Sequence, residues 1–349
     1  MAAPFRGRPI RTLWWKSYEN PCYHIGEAYA AALSASKRFR FANRAPSKKH
    51  ERFIPRLSSQ IVRPRWERHI KRILAQEGDV GAIICLNLPL NQLTGLPSKI
   101  KDEFDVPIVY YDGDLPVSLP SLGGYTFNSY IGADLGEYDS FIVNSGGAAP
   151  TLREMGAPKI CVVHWGVDPT IYFPTFVQKD IDVFFGGLGT RFREKWIEEM
   201  IRIPAQSFDR RFVVSGVEPK VLGPKVKSLP FLPFSEWTRH CWRSKISLNI
   251  ARESHALTPE TSSSRPFELA ALGSCVISNP YLGLGDWFQI GREVFTVHDH
   301  EEALETYRWL IQDDEARQKA GQAARERVLN EHTCRHRARQ ILSHVSTLS

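Results

Sequence analysis

Short apolar runs alternate with helical patterns along most of this chain. Several runs are apolar throughout, which is typical of strands buried on both faces of a parallel sheet. The pattern predicts nine strands, at residues 13–15, 81–86, 107–111, 140–144, 159–164, 182–185, 211–215, 247–250 and 274–278. Helices with one apolar face are predicted among them, at residues 27–36, 64–76, 193–201 and 301–312. This β-α alternation predicts a doubly wound α/β architecture.

The pattern restarts once, after the poorly periodic segment 165–180 with its two prolines. We therefore predict two Rossmann-like domains, one over residues 1–174 and one over residues 175–325. The charged helical tail is too long to be a simple last helix of a compact domain. Residues 326–349 are predicted to form a helix that packs back toward the N-terminal domain.

Composition narrows the class of protein. The chain has 349 residues, 42% hydrophobic and 24% charged, as expected for two soluble globular domains. No apolar run reaches the length of a membrane-spanning helix, and the N-terminus lacks the apolar core of a secretory signal. The six cysteines occur singly, which is typical of reduced thiols in a cytoplasmic protein. We predict a cytoplasmic protein, with peripheral attachment to a membrane left open.

Positive charge is concentrated near the N-terminus. Residues 1–80 carry a formal charge of +11, against +7 for the whole chain. One interpretation is an ordinary solvated surface. The other is an anionic partner, namely a charged glycan, a membrane-surface lipid or DNA.

A glycine-rich turn joins a predicted strand to a predicted helix near residue 187. Gly186, Gly187 and Gly189 lie in this turn, and Arg191 and Arg193 stand at the start of the helix. Glycines let the backbone approach a ligand closely, and a helix N-terminus with arginines favours an anion such as a diphosphate. The third glycine of a dinucleotide-binding motif is missing, so a tight structural turn is the alternative.

A second candidate site lies at the start of a buried helix near residue 265. With Pro266 as the first helical residue, Ser264 caps the helix, Arg265 faces the diphosphate and Glu268 lies in the first turn. A carboxylate there can accept hydrogen bonds from two vicinal ribose hydroxyls. The alternative is a carboxylate that only stabilises the helix dipole.

The long polar loop before this helix is typical of a ligand-contacting segment. It contains His255, a candidate for the lining of the donor cleft, and Glu260, which forms an E-x7-E spacing with Glu268.

Two residues are candidates for the base that deprotonates an acceptor hydroxyl. Asp112 follows a predicted buried strand, where side chains face the cleft of an α/β domain. His24 follows the first predicted strand. Residues 112–114 also form a DxD pattern, which in GT-A glycosyltransferases binds a metal and the donor diphosphate. A plain turn is a further alternative.

The C-terminal half resembles the CgeB-like, spore-coat branch of the GT-B glycosyltransferases. The resemblance covers about residues 138–342, through VHWGVDPTIYFP, VFFGGLGTRFRE, SLNIARES, SSRPFELAALGSCVISNPYLGLGDWF, IGREVFTVHDHEEALE and RERVLNEHTCRHRARQIL. The segment around Asp112 more weakly resembles phage DNA β-glucosyltransferases, whose matching aspartate is the base.

The resemblance implies two Rossmann-like domains facing a cleft, with the acceptor bound by the N-terminal domain and the donor held mainly by the C-terminal one. It also implies transfer of a sugar from a UDP- or GDP-sugar without a bound metal or cofactor. By motif position, Glu268 would bind the donor ribose, and Gly187, Arg191, Arg193 and Arg265 would surround the diphosphate. Glu260 is followed by Thr-Ser-Ser rather than the Gly-Phe-Gly of the more regular enzymes. A nucleotide-sugar epimerase, a DNA-modifying glucosyltransferase and a non-catalytic glycan- or nucleic-acid-binding protein remain alternatives.

Overall fold

The computed structural model describes residues 53–88, 90–122, 129–130, 132–188 and 192–348, except the side chains of residues 53–62 and 120. The predicted strand 13–15, the predicted helix 27–36 and the candidate base His24 lie outside the described residues, as do Gly189 and Arg191.

The first sheet has four parallel strands in the order β1-β2-β3-β4. They are β1 (Ile83–Leu86), β2 (Ile108–Asp112), β3 (Ser140–Val143) and β4 (Ile160–Val162). The helices are α1 (Phe53–Glu77), α2 (Leu96–Phe104) and α3 (Ala149–Glu154), with 3₁₀ turns at Leu90–Gln92, Pro120–Leu122 and Leu135–Glu137. Every residue of β3 is buried, as the apolar run predicted for a strand covered on both faces.

The second sheet has six parallel strands in the order β10-β9-β8-β5-β6-β7. They are β5 (Ile181–Gly186), β6 (Phe212–Ser215), β7 (Val226–Leu229), β8 (Ser244–Asn249), β9 (Cys275–Ser278) and β10 (Val294–Thr296). The sequence pattern did not predict β7 and β10.

Helices cover this second sheet and continue into the C-terminal segment. They are α4 (Glu194–Ile197), a π-helical turn (Glu198–Arg202), α5 (Ile203–Ser207), α6 (Pro219–Leu222), α7 (Phe234–Arg243), α8 (Glu253–Leu257), α9 (Ser264–Ala271), α10 (Leu284–Trp287), α11 (His300–Gln312), α12 (Asp314–Glu331) and α13 (Cys334–Val345).

The strand order of the second sheet locates its ligand-binding edge. From β5 the chain winds outward through β6 and β7, and then returns to β8 on the other side of β5 before winding outward again. Ligands of open parallel sheets bind where the winding reverses, at the carboxyl ends of the strands. In this sheet that position is the crevice between the ends of β5 and β8.

The last helix packs against the first domain. Val345 is buried in one apolar cluster with Val109, Ile142 and Val163 of the first sheet. The His344 imidazole Nε2 lies 2.6 Å from the hydroxyl oxygen of Ser140 at the start of β3. Helix α13 therefore ties the end of the chain to the first sheet.

Candidate active site

The carboxyl ends of the two sheets meet across a junction of two loops. The backbone N–H of Ser262 donates to the Asn144 carbonyl at 2.9 Å, and the Asn144 amide Nδ2 donates back to the Ser262 carbonyl at 2.8 Å. The Gly146 N–H donates to the Glu260 carbonyl at 3.0 Å. The cleft between the domains is thus bounded by the loop after β3 on one side and by the loop before α9 on the other.

Glu260 has an uncommon backbone conformation at this junction. Its φ is +48°, in the left-handed region that non-glycine residues seldom adopt. A side chain at Gly146 would overlap with the Glu260 carboxylate, so the junction requires glycine at this position. Strain of this kind often marks a functional site. The structure therefore places Glu260, with its exposed side chain, at the border between the two domains.

The two charged residues of α9 form a pair rather than two separate subsites. The Arg265 Nη1 atom lies 3.1 Å from one oxygen of Glu268, and the Tyr172 hydroxyl donates to the other oxygen at 3.2 Å. The guanidinium of Arg265 also stacks on the Trp237 ring, 4.2 Å from its centroid. We refer to Tyr172, Trp237, Arg265 and Glu268 as the Glu268 cluster.

The start of α9 differs from the prediction. The helix begins at Ser264, two residues before Pro266, and Ser263 is the N-cap residue. Glu268 is therefore the fifth helical residue and lies in the second turn. Its carboxylate is held beside Arg265, and the assignment of Arg265 to the diphosphate stays a prediction.

The two described glycines of the glycine-rich turn fit closely against aromatic side chains. A β-carbon at Gly186 would lie 2.5 Å from the indole ring of Trp237, and one at Gly187 would lie 2.8 Å from the ring of Phe185. Packing alone therefore requires glycine at both positions. The same contact puts Trp237, and through it Arg265 and Glu268, next to the carboxyl end of β5.

Arg193 connects the two strands at the reversal point. Its Nε donates to the Ile250 carbonyl just after β8 at 2.6 Å, and its Nη1 donates to the Leu188 carbonyl after β5. A guanidinium thus lies in the crevice where the strand order predicts a ligand. The assignment of Arg193 to the phosphate end of the site stays a prediction.

A cluster of charged and titratable residues faces the crevice from both domains. Asp114, just beyond β2, lies 3.7 Å from Arg252 and 3.9 Å from the Nε2 atom of His255. Arg193 also acts electrostatically on Asp114 and His255. We refer to Asp114, Arg193, Arg252 and His255 as the Asp114 cluster.

Burial controls ionisation in this cluster. It raises the pKa of Asp114 to about 6, an effect that Arg252 opposes and the charge of Asp112 reinforces. Burial, reinforced by Arg252 and Arg193, lowers the pKa of His255 to about 3, so this imidazole is neutral at physiological pH. The sequence analysis assigned His255 to the lining of the donor cleft and considered Asp114 only as part of the DxD pattern. It did not consider Arg252.

Asp112, the first candidate base, is buried and its oxygens are occupied. Only 2% of the residue is exposed. One carboxylate oxygen accepts from the Asp114 N–H at 2.8 Å and the Ser118 hydroxyl at 3.1 Å, and the other accepts from the Tyr130 hydroxyl at 2.7 Å. In this geometry the protein covers the Asp112 carboxylate, and the more exposed carboxylate of this loop is that of Asp114. The assignment of Asp112 as the base stays a prediction.

Two comparisons with known proteins concern this arrangement. Residues 193–343 match the protein family described as glycosyl transferase-like. None of the curated proteins matches the sequence.

Solved structures share the overall architecture. A glycosyltransferase from Rickettsia africae superposes with a TM-score of 0.60 at 13% identity, over 88% of this chain and 84% of that one. HepE from Anabaena, in complex with UDP-glucose, has a TM-score of 0.58 at 15% identity, over 76% and 78% of the two chains. An α-glucosyltransferase in complex with UDP-glucose and DNA has a TM-score of 0.58 at 12% identity, over 80% and 84%.

The fold predicted from the sequence is confirmed. The chain has the GT-B architecture of these glycosyltransferases, with two parallel α/β sheets. The C-terminal segment 193–343 matches the glycosyl transferase-like family, in agreement with the predicted enzyme class. Among the described helices, none combines the length and apolar character that a membrane span requires. The described part of the chain also brings together no group of three or more His, Cys, Asp or Glu side chains suited to a metal ion.

Proposed function

We propose that this protein transfers a sugar from a nucleoside-diphosphate sugar to an acceptor hydroxyl. The observation that carries the proposal is the Glu268 cluster, which holds a carboxylate and a guanidinium beside the reversal point of the second sheet. A carboxylate suits two vicinal ribose hydroxyls, and the crevice between β5 and β8 suits a diphosphate. Gly186, Gly187 and Arg193 border that crevice, with Gly189, Arg191 and Ser264 assigned to it from the sequence.

Two features support a reaction in which arginines, rather than a metal ion, neutralise the leaving diphosphate. Arg193 and Arg252 lie at the end of β8, where they can stabilise developing negative charge. The DxD pattern of residues 112–114 is poorly suited to metal binding because both oxygens of Asp112 already accept hydrogen bonds within the domain. We therefore favour the metal-independent chemistry that the family resemblance implies.

The acceptor we propose is anionic. Arg65, Arg68 and Arg72 are exposed and recur at intervals of three and four along α1, so they lie on one face of this helix. They extend the positive charge of the N-terminal 80 residues into the described structure. DNA is one such acceptor, and the structural similarity to an α-glucosyltransferase bound to DNA favours including it beside charged glycans and lipid headgroups.

A thermal-shift series tests the donor assignment. We expect one of UDP-, GDP-, ADP- and dTDP-glucose to stabilise the protein by about 2.7 kcal/mol at a hundred times its dissociation constant. In a chain of 349 residues that corresponds to a rise in Tm of roughly 4 °C. Glucose 1-phosphate, which lacks the nucleoside, serves as the control and should give little shift. Absence of a shift with all four sugar nucleotides would refute the donor site.

A further inference from the structure

Arg193 and Arg252 converge on the same small volume at the carboxyl end of β8. The Arg193 guanidinium is fixed by the Ile250 carbonyl, two residues before Arg252. Both arginines contribute to lowering the pKa of the buried His255, so both positive charges are close to that imidazole. A nearby anion stabilises two positive charges in such a site.

One carboxylate close to these arginines comes from the first domain. Asp114 approaches Arg252 and His255 at 3.7 and 3.9 Å, longer than the 2.7–2.9 Å typical of a charge-assisted hydrogen bond. Its side chain is 45% exposed, so solvent reaches the carboxylate. Asp114 is thus a loosely held counter-ion at the crevice that the strand order marks for a ligand.

We propose that Arg252 binds the donor diphosphate together with Arg193, and that Asp114 is the counter-ion the diphosphate displaces. This inference rests on the proposed function and assigns a residue that binds the donor. A guanidinium pairs with phosphate oxygens through the same forked geometry that it uses with a carboxylate. The diphosphate and the ionised Asp114 therefore compete for the same cations.

The competition couples donor binding to one proton. The groups facing Asp114 are Arg252, Arg193, His255 and Asp112. His255 stays neutral between pH 5 and 8, because its pKa is about 3, whereas Asp114 titrates in that range, with a pKa of about 6. Below pH 6 Asp114 is protonated and uncharged, so it no longer competes with the diphosphate for the two arginines. Above pH 6 its negative charge opposes the incoming anion, so donor affinity falls as the pH rises.

Calorimetric titration of the full chain between pH 5 and 8 tests this coupling. The probe is the sugar nucleotide of the thermal-shift series that raises Tm most. Each of its phosphates carries one ester and one anhydride bond, so it lacks the second ionisation near pH 6 of a phosphate monoester. We expect the affinity of the unmodified protein to fall about tenfold from pH 5 to pH 8, and that of Asp114→Asn to stay constant. Asp105→Asn is the control, because Asp105 is exposed and precedes the start of β2; this variant should retain the tenfold fall.

Arginine variants test the other half of the proposal. We expect Arg252→Gln to weaken binding at least tenfold at every pH, and Arg252→Lys, which keeps the charge, to recover part of the loss. Arg239→Gln is the control, since Arg239 pairs with Glu236 on the exposed face of α7. An unchanged affinity in a folded Arg252→Gln variant, or the same pH slope in Asp114→Asn as in the unmodified protein, would overturn the inference. Lack of binding of every sugar nucleotide to the unmodified protein would instead refute the proposed function itself.

Discussion

Replacing Glu268 with glutamine is expected to weaken binding of the donor nucleotide about 30-fold or more and to reduce sugar transfer at least as strongly. Hydrogen bonds to a charged group contribute about 1.5–3 kcal/mol each, and the carboxylate is the acceptor assigned to two ribose hydroxyls. Glutamine also removes the charge that holds Arg265 in place over Trp237. Calorimetry with the best sugar nucleotide measures the loss of affinity.

The fold should withstand this change. The glutamine carbonyl can still accept from the Tyr172 hydroxyl, and the rest of the exchange affects only a partly exposed ion pair. The Tm without ligand is therefore expected to stay within about 2 °C of the original value. Glu198→Gln provides a matched control, because Glu198 also pairs with an arginine one helical turn away but lies far along the chain from the α9 site. Normal donor binding by Glu268→Gln would exclude Glu268 as the ribose ligand.

Much of the fold could be predicted because continuous runs of apolar residues indicate which segments form buried strands. The buried runs that became β2, β3 and β9 were predicted to within one residue at most ends. β7 and β10 were missed for a physical reason. In β7 (VKSL) only Val226 is buried, and β10 has just three residues, so neither offers the continuous apolar run that marked the others.

The donor-site prediction had a different basis. Arg265 and Glu268 were conspicuous because charged residues interrupt an apolar segment, and the structure brings them together with Trp237 and Tyr172. Both aromatic residues are distant in sequence from α9, and no periodicity connects them with it. Their contribution depends on the tertiary packing of segment 165–180, which contains Tyr172, and of α7, which contains Trp237. Local sequence patterns do not encode this packing.

The loop after β2 illustrates the limit more sharply. Residues 112–114 present two aspartates, and the sequence offers no means of telling which one faces the cleft. The answer depends on Tyr130 and Ser118, whose hydroxyls occupy Asp112, and on Arg252, which lies opposite Asp114 in the other domain. The sequence did contain one usable signal, namely the charged residues of segment 252–255, which follow the buried strand β8.

These contacts lead to opposite expectations for two substitutions at Asp112. Alanine removes the acceptor of three donors in a buried site, which is expected to cost about 3 kcal/mol and to lower Tm by roughly 4 °C. Asparagine keeps an acceptor oxygen and cannot ionise. Burial raises the pKa of Asp112. At a pH above the ordinary pKa of an aspartate, the ionised carboxylate therefore costs the folded protein free energy. Asparagine, which cannot ionise, removes this cost.

Asp112→Asn is therefore expected to keep Tm within about 3 °C, to bind donor normally and to retain transfer within about tenfold. Thermal melts, donor titration and a transfer assay on both variants measure these outcomes, with Asp105→Ala on the surface as a reference for the fold. The contrary result is equally specific. If Asp112→Asn melts and binds donor like the unmodified protein but loses transfer by about a thousandfold, within the range for loss of a general base, Asp112 is the base after all. Its bonds to Tyr130 and Ser118 would then have to open when an acceptor binds.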